Sequence, residues 1–121
     1  MKRDTRVVPG QSPLKPSTYY VLLALADGER HGYAIMQAVA EMTGGREAIL
    51  PGTLYAALAR MADEGLIEAR EAPANDASGG PKRRYYRSTP AGRAALRAES
   101  ERLSSLVDIA RKHRILPGGR R

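Results

Sequence analysis

The stretch "LPGTLYAALARMADEGLI", residues 50 to 67, decides the fold. Pro51 suits the first turn of a helix, where its missing N–H has no carbonyl to reach. Leu54, Leu58 and Met61 then recur at the spacing of one helical face. Gly65 predicts the stop, with Leu66 placed to pack back against Met61 in a Schellman exit. The opposite face is mostly alanine, including Ala56 and Ala59, where surface helices usually carry Glu, Lys and Gln. Small side chains let another surface come close; high helix propensity is the plainer reason for alanine. The neighbouring segments decide between the two.

Working outward toward the N-terminus, Ser17 offers a cap for a nearly apolar helix running to Asp27 and ended by Gly28. A second helix is expected from about Gly32 to Thr43, with Ile35, Met36, Val39 and Met42 on one stripe and Gly44 and Gly45 as a left-handed exit. Toward the C-terminus, "IEAREA" at 67 to 72 alternates in the manner of a half-buried strand. "PANDASGGPK" at 73 to 82 is a run of turn formers, and "RRYYRS" at 83 to 88 reads as a returning strand. Tyr85 and Tyr86 must face opposite sides of that strand, and Tyr86 is expected inside. Thr89 and Pro90 announce a long helix, a cap followed by proline in the first turn, running to about Ile115 before "PGG". The fold class expected is mostly α with a small β-hairpin: a winged helix-turn-helix with an added C-terminal dimerisation helix. Residues 1–16 form a basic N-terminal arm, 17–89 the winged module, 90–115 the added helix and 116–121 a basic tail.

The chain of 121 residues is long enough for one core and too short for two. It contains no Cys, which excludes disulfides and thiolate metal sites, and no apolar run long enough to span a bilayer. No signal peptide is read at the N-terminus, so a cytoplasmic protein with no membrane partner is expected. The formal net charge of +7 is unevenly spread. Residues 17–71 carry four basic and eight acidic groups, residues 72–93 five basic and one acidic. Residues 1–16 carry four and one, and residues 94–121 seven and three. An anionic partner would meet the arm, the hairpin and the C-terminal segment, with the acidic module between them. Arginine-rich tails that only aid solubility are the plainer alternative.

Three blocks, "HGYAI" at 31–35, "PGTLYAALARMADEGLI" at 51–67 and "RRYYRSTPAG" at 83–92, together resemble the PadR family of transcriptional regulators, over roughly Tyr20 to Arg111. Each block alone is a weak signal; the three in the family's order and spacing are specific. The resemblance implies a dimeric winged-helix DNA-binding protein, usually a repressor, whose C-terminal helix makes the dimer. It also implies that the third helix reads the major groove while the hairpin tip, around Gly79 to Arg84, touches the neighbouring backbone or minor groove. Two positions depart from the pattern: Leu50 stands where the family often has serine, and Ser88 where it usually has leucine.

The candidate DNA-binding residues are Gly52, Thr53, Tyr55, Ala56 and Arg60 on the third helix and Lys82, Arg83 and Arg84 on the hairpin. A slim helix fits a major groove about 12 Å wide, and Thr53 and Tyr55 reach phosphates or bases from its first turns. Arg60 has an alternative in a salt link to Glu64 on the next turn. Asp63 and Glu64 should point away from DNA. The candidate dimer stripe is Leu96, Leu103, Leu106, Val107 and Ala110, near a seven-residue spacing, with a back-fold onto the first helix as the alternative. His31 is expected to pack and hydrogen-bond where the first two helices meet. With His113 the only other histidine, no metal, cofactor or catalytic set is expected. The favoured function is a dimeric regulator on a palindromic operator of double-stranded DNA, open to release by a small-molecule effector. The alternative is a winged-helix protein–protein interaction module without sequence-specific DNA binding, for which the acidic module is the argument.

Overall fold

A computed structural model describes residues 13–72 and 84–118 of the chain. The elements run α1 Pro16–Ala24, β1 Arg30–His31, α2 Gly32–Met42, α3 Pro51–Asp63, β2 Ile67–Glu71, β3 Arg84–Ser88 and α4 Pro90–Lys112. This is the expected helix, helix, helix, hairpin, helix order with one addition: two residues of backbone before α2 pair with β3, so the sheet has three strands in the order β1-β3-β2, all antiparallel.

The apolar pattern accounts for the core. α1 lies at its centre, with Val21, Leu22, Ala24 and Leu25 buried against α2, α3 and α4. From α2 come Ile35, Ala38 and Val39, and from α3 come Leu54, Ala57, Leu58 and Met61. Each fully buried Val, Leu, Ile or Met side chain among these contributes about 1.5–3 kcal/mol relative to exposure. Ile67 and Tyr86 close the core from the sheet side, as the strand alternation requires. The expected α2 stripe is correct at Ile35 and Val39 but not at Met42, which is 49% exposed; Ala38 takes the inward place.

Helix ends follow local chemistry. α1 begins two residues earlier than expected, with Pro16 in its first turn and Lys15 rather than Ser17 at the N-cap, and it stops at Ala24, short of Asp27. The exits of α2 and α3 are both Schellman motifs: Gly45 N–H reaches the Ala40 carbonyl at 2.8 Å and Leu66 N–H the Met61 carbonyl at 2.9 Å. Gly44 and Gly65 supply the positive φ that these exits need. α4 ends at Lys112, three residues before Ile115, with the same hydrogen-bond pattern, Ile115 N–H to the Ala110 carbonyl at 2.9 Å. There the left-handed position is held by Arg114, φ 61°, the one non-glycine with positive φ among the described residues.

α4 is fastened to the module at its start. Thr89 caps it, its hydroxyl accepting from Gly92 N–H at 3.0 Å and donating to the Gly65 carbonyl at 2.6 Å. Thr89 N–H reaches the Leu66 carbonyl at 3.0 Å. Further along, Ala95 and Glu99 are buried, and the hydroxyls of Tyr19 and Ser100 share a 2.8 Å hydrogen bond between α1 and α4. Glu99 is forked by Arg102 at 3.0 and 2.6 Å, which compensates the buried carboxylate and raises the pKa of Arg102. No helix among the described residues is long and apolar enough to cross a membrane.

Candidate nucleic-acid interface

α3 presents two unlike faces. Leu54, Ala57, Leu58 and Met61 are buried, while Gly52, Thr53, Tyr55, Ala56 and Ala59 are exposed. The exposed positions from Gly52 to Ala59 carry side chains no larger than Thr apart from Tyr55. No side chain caps that end: Leu50 holds the N-cap position, 71% exposed, and makes no capping hydrogen bond. The first-turn N–H groups thus keep the partial positive charge of the helix end. The other end carries the exposed acids Asp63 and Glu64. This polarity favours an anion at the start of α3 and disfavours one at its exit.

Tyr55 is half exposed and lies across the start of α2. A Cβ at Gly32 would overlap the Tyr55 hydroxyl, so glycine at this point of "HGY" gives the ring its seat. His31 does what was expected where α1 leads into α2: its Nδ1 accepts from Ala34 N–H at 3.2 Å, and its ring meets Tyr85 edge-on at 5.4 Å. Tyr33, 60% exposed, flanks the same region of sequence. Arg60 is half-buried; its Nη2 donates to the Thr18 hydroxyl at 2.9 Å rather than to Glu64, which ties the middle of α3 to α1. Arg84 is exposed at the first position of β3, opposite Glu71. Lys82 and Arg83, and the tip from Gly79, lie outside the described residues.

One ion pair pins the wing to the body and another joins its two strands. Arg70 forks Glu29, Nε to Oε1 at 2.8 Å and Nη2 to Oε2, joining β2 to the turn after α1. The hydrogen bond from Arg70 holds the Glu29 carboxyl below the usual carboxylate range, against a smaller upward push from desolvation. Arg87 pairs with Glu68 across the hairpin at 2.9 Å. Burial raises the Tyr86 phenol above its ordinary value.

The expected dimer stripe divides in two. Leu96 packs against the core of its own chain and Leu103 and Ala110 are half-buried, while Leu106 and Val107 are 49% and 36% exposed. Ile109, Ile115 and Leu116 are also exposed, Ile109 on α4 and the other two beyond its end at Lys112.

A model of the transcriptional regulator PadR-like family matches residues 21–98. A transcriptional regulator of Mycobacterium tuberculosis is 37% identical over 88 residues, covering 73% of this chain and 76% of that one. An uncharacterised 37.1 kDa protein encoded in a Streptomyces fradiae transposon is 40% identical over 86 residues, covering 71% of this chain and 22% of the relative, so this chain spans about a fifth of it. Among solved structures, Bacillus subtilis PadR in complex with operator DNA superposes with a TM-score of 0.60 at 26% identity, over 70% of this chain and 46% of that one.

Proposed function

The chain belongs to the PadR-like family of transcriptional regulators, and from that premise we propose that it is a dimeric, sequence-specific DNA-binding protein that represses transcription by occupying a promoter. The observation that carries the proposal is the exposed, slim N-terminal face of α3, Gly52, Thr53, Tyr55 and Ala56. A helix about 10–12 Å across needs such a face to approach base edges in a groove about 12 Å wide. The operator-bound Bacillus subtilis relative supports a duplex as the partner. In this reading Thr53, Tyr55 and the uncapped first turn meet phosphates and bases, and Arg84 with Lys82 and Arg83 meets the adjoining backbone. Arg60 contributes while anchored on Thr18. The basic arm with Lys2, Arg3 and Arg6 follows an adjacent minor groove.

A second copy is held through Leu103, Leu106, Val107 and Ala110 of α4, while Leu96 at the inner end of the stripe packs on its own core. The resulting two-fold places half-sites of a palindrome about one helical turn, roughly 34 Å, apart. Any small-molecule effector acts by preferring one dimer geometry over another. The proposal includes no catalysis and no cofactor, and places the protein in the cytoplasm.

The test is footprinting and gel-shift titration of the purified protein on DNA upstream of its own gene. With three or four phosphates neutralised per protomer, log affinity falls against log salt with a slope of roughly −5 to −7. Changing Lys82, Arg83 and Arg84 together to Ala flattens that slope; an unchanged slope removes the wing from the interface. The second reading, a protein-interaction module, draws on the net −4 of residues 17–71, four basic against eight acidic groups. Failure to shift any duplex in preference to random competitor decides for it.

A further inference from the structure

A cleft of about 480 Å³ opens between the turn after α1, the β2–β3 pair and the first turn of α4. Leu25 lines its inner wall, and three guanidinium groups from three elements converge on it: Arg70, Arg87 and Arg93. Among the described residues Glu29 is the one carboxylate lining it. It occupies Arg70 through both oxygens. The remaining two arginines are lightly committed. Arg87 pairs with Glu68, but the two side chains are 60% and 55% exposed, and solvent screens such surface pairs so that they hold weakly. Arg93 donates from Nη1 to the Ser88 carbonyl at 3.0 Å and pairs with no carboxylate among the described residues. The described lining therefore carries two cations in excess, Arg70, Arg87 and Arg93 against Glu29.

We propose that this cleft binds a small phosphate-bearing anion. Guanidinium groups match oxyanions through paired N–H donors in a fixed fork, which an ammonium cannot do. Arg87 and Arg93, with donors left on Arg70, can meet three oxygens, so a phosphate fits better than a carboxylate with two. The volume lies within the range of small-ligand sites, and Leu25 offers a wall for a small organic substituent. The cleft stands apart from the start of α3. Gly92, next to Arg93, abuts the Leu66 carbonyl just past the exit of α3, about 20 Å along that helix from Pro51. A bound anion would bridge the wing strands to α4. This names a chemistry for an effector; the site itself stands without the DNA-binding reading, and its regulatory consequence rests on it.

The test is an amide and arginine-Nε NMR titration of the full chain with inorganic phosphate, against chloride at matched ionic strength. Saturable shifts are expected at Gly28, Ser88, Arg87 and Arg93, with a dissociation constant on the order of a millimolar or tighter. They should weaken at least tenfold in the double variant R87Q/R93Q, checked for folding by its melting curve, and persist in R84Q, whose cation is not among those lining the cleft. Tighter binding of phenyl phosphate assigns the site to an organic phosphate; equal binding assigns it to the free ion. Shifts that never saturate, that spread evenly over all cationic positions, or that survive in R87Q/R93Q overturn the proposal. So does displacement of phosphate by a DNA duplex in wild type, which would give the cleft to the DNA backbone. Loss of duplex binding with the phosphate shifts intact would sink the regulatory reading alone.

Discussion

Gly92 has no room for a side chain. A Cβ there would overlap the backbone carbonyl of Leu66, which cannot swing aside as a side chain could. G92A is therefore expected to destabilise the protein by about 2–3 kcal/mol, read as a lower urea midpoint with an unchanged slope. A shift below about 0.5 kcal/mol would show that α4 can lift away from the α3 exit without loss. At the same scale Leu50 works in the other direction. It is an exposed N-cap with no side-chain acceptor, so L50S should stabilise by about 0.5–1 kcal/mol in thermal or urea unfolding. Glycines and caps of this kind are legible in sequence because their chemistry is local. Thr89 was readable as a cap for that reason, and Ser17 was misread because Pro16 beside it already serves the first turn.

At the scale of elements, the Glu29–Arg70 fork ties the turn after α1 to β2. Its pH dependence has a definite sign. The carboxyl of Glu29 is lowered in the folded chain, first by the hydrogen bond from Arg70. Its contribution is then complete above the ordinary Glu range, about pH 4–5, and is lost as pH falls through the depressed folded value. Comparing wild type with E29Q by denaturation should show an advantage for wild type at neutral pH that vanishes on acidification. An advantage that persists at low pH would remove the fork as its source. Elements with internal periodicity were readable ahead of the structure: α3 by Leu54, Leu58 and Met61, and β2 and β3 by their alternation. β1 was not, because a two-residue strand has no period to display. Arg30 and His31 become a strand only by meeting Tyr86 and Tyr85, far along the chain. The cleft is illegible in sequence for the same reason: Glu29, Arg70, Arg87 and Arg93 are scattered along the chain and gathered only by the fold.

For the whole molecule, the outer part of α4 has no cover among the described residues, with Leu106 49% and Ile109 50% exposed. The proposed dimer accounts for this, and L106E should shift the protein toward single chains in sedimentation while leaving the winged module folded by circular dichroism. An unchanged sedimentation coefficient would place the seam elsewhere. The division within α4 is itself a lesson in reading: the pattern from Leu96 to Ala110 is continuous in sequence, but Leu96 belongs to the core of the module and Leu106 to its outside. Spacing alone cannot tell where a core ends along one helix.

The joint at Thr89, Gly92 and Leu66 leaves little play between α4 and the exit of α3. In the proposed dimer each protomer would then behave as a rigid lever, with its fulcrum at the outer end of a 23-residue helix and its working tip at the groove of a bound duplex. Over about 35 Å of such an arm, a tilt of about 5° at the fulcrum carries the tip about 3 Å. That travel is a large part of a base-pair step. Gearing of this sort lets a slight change of pitch between two copies decide whether both tips can seat on one duplex.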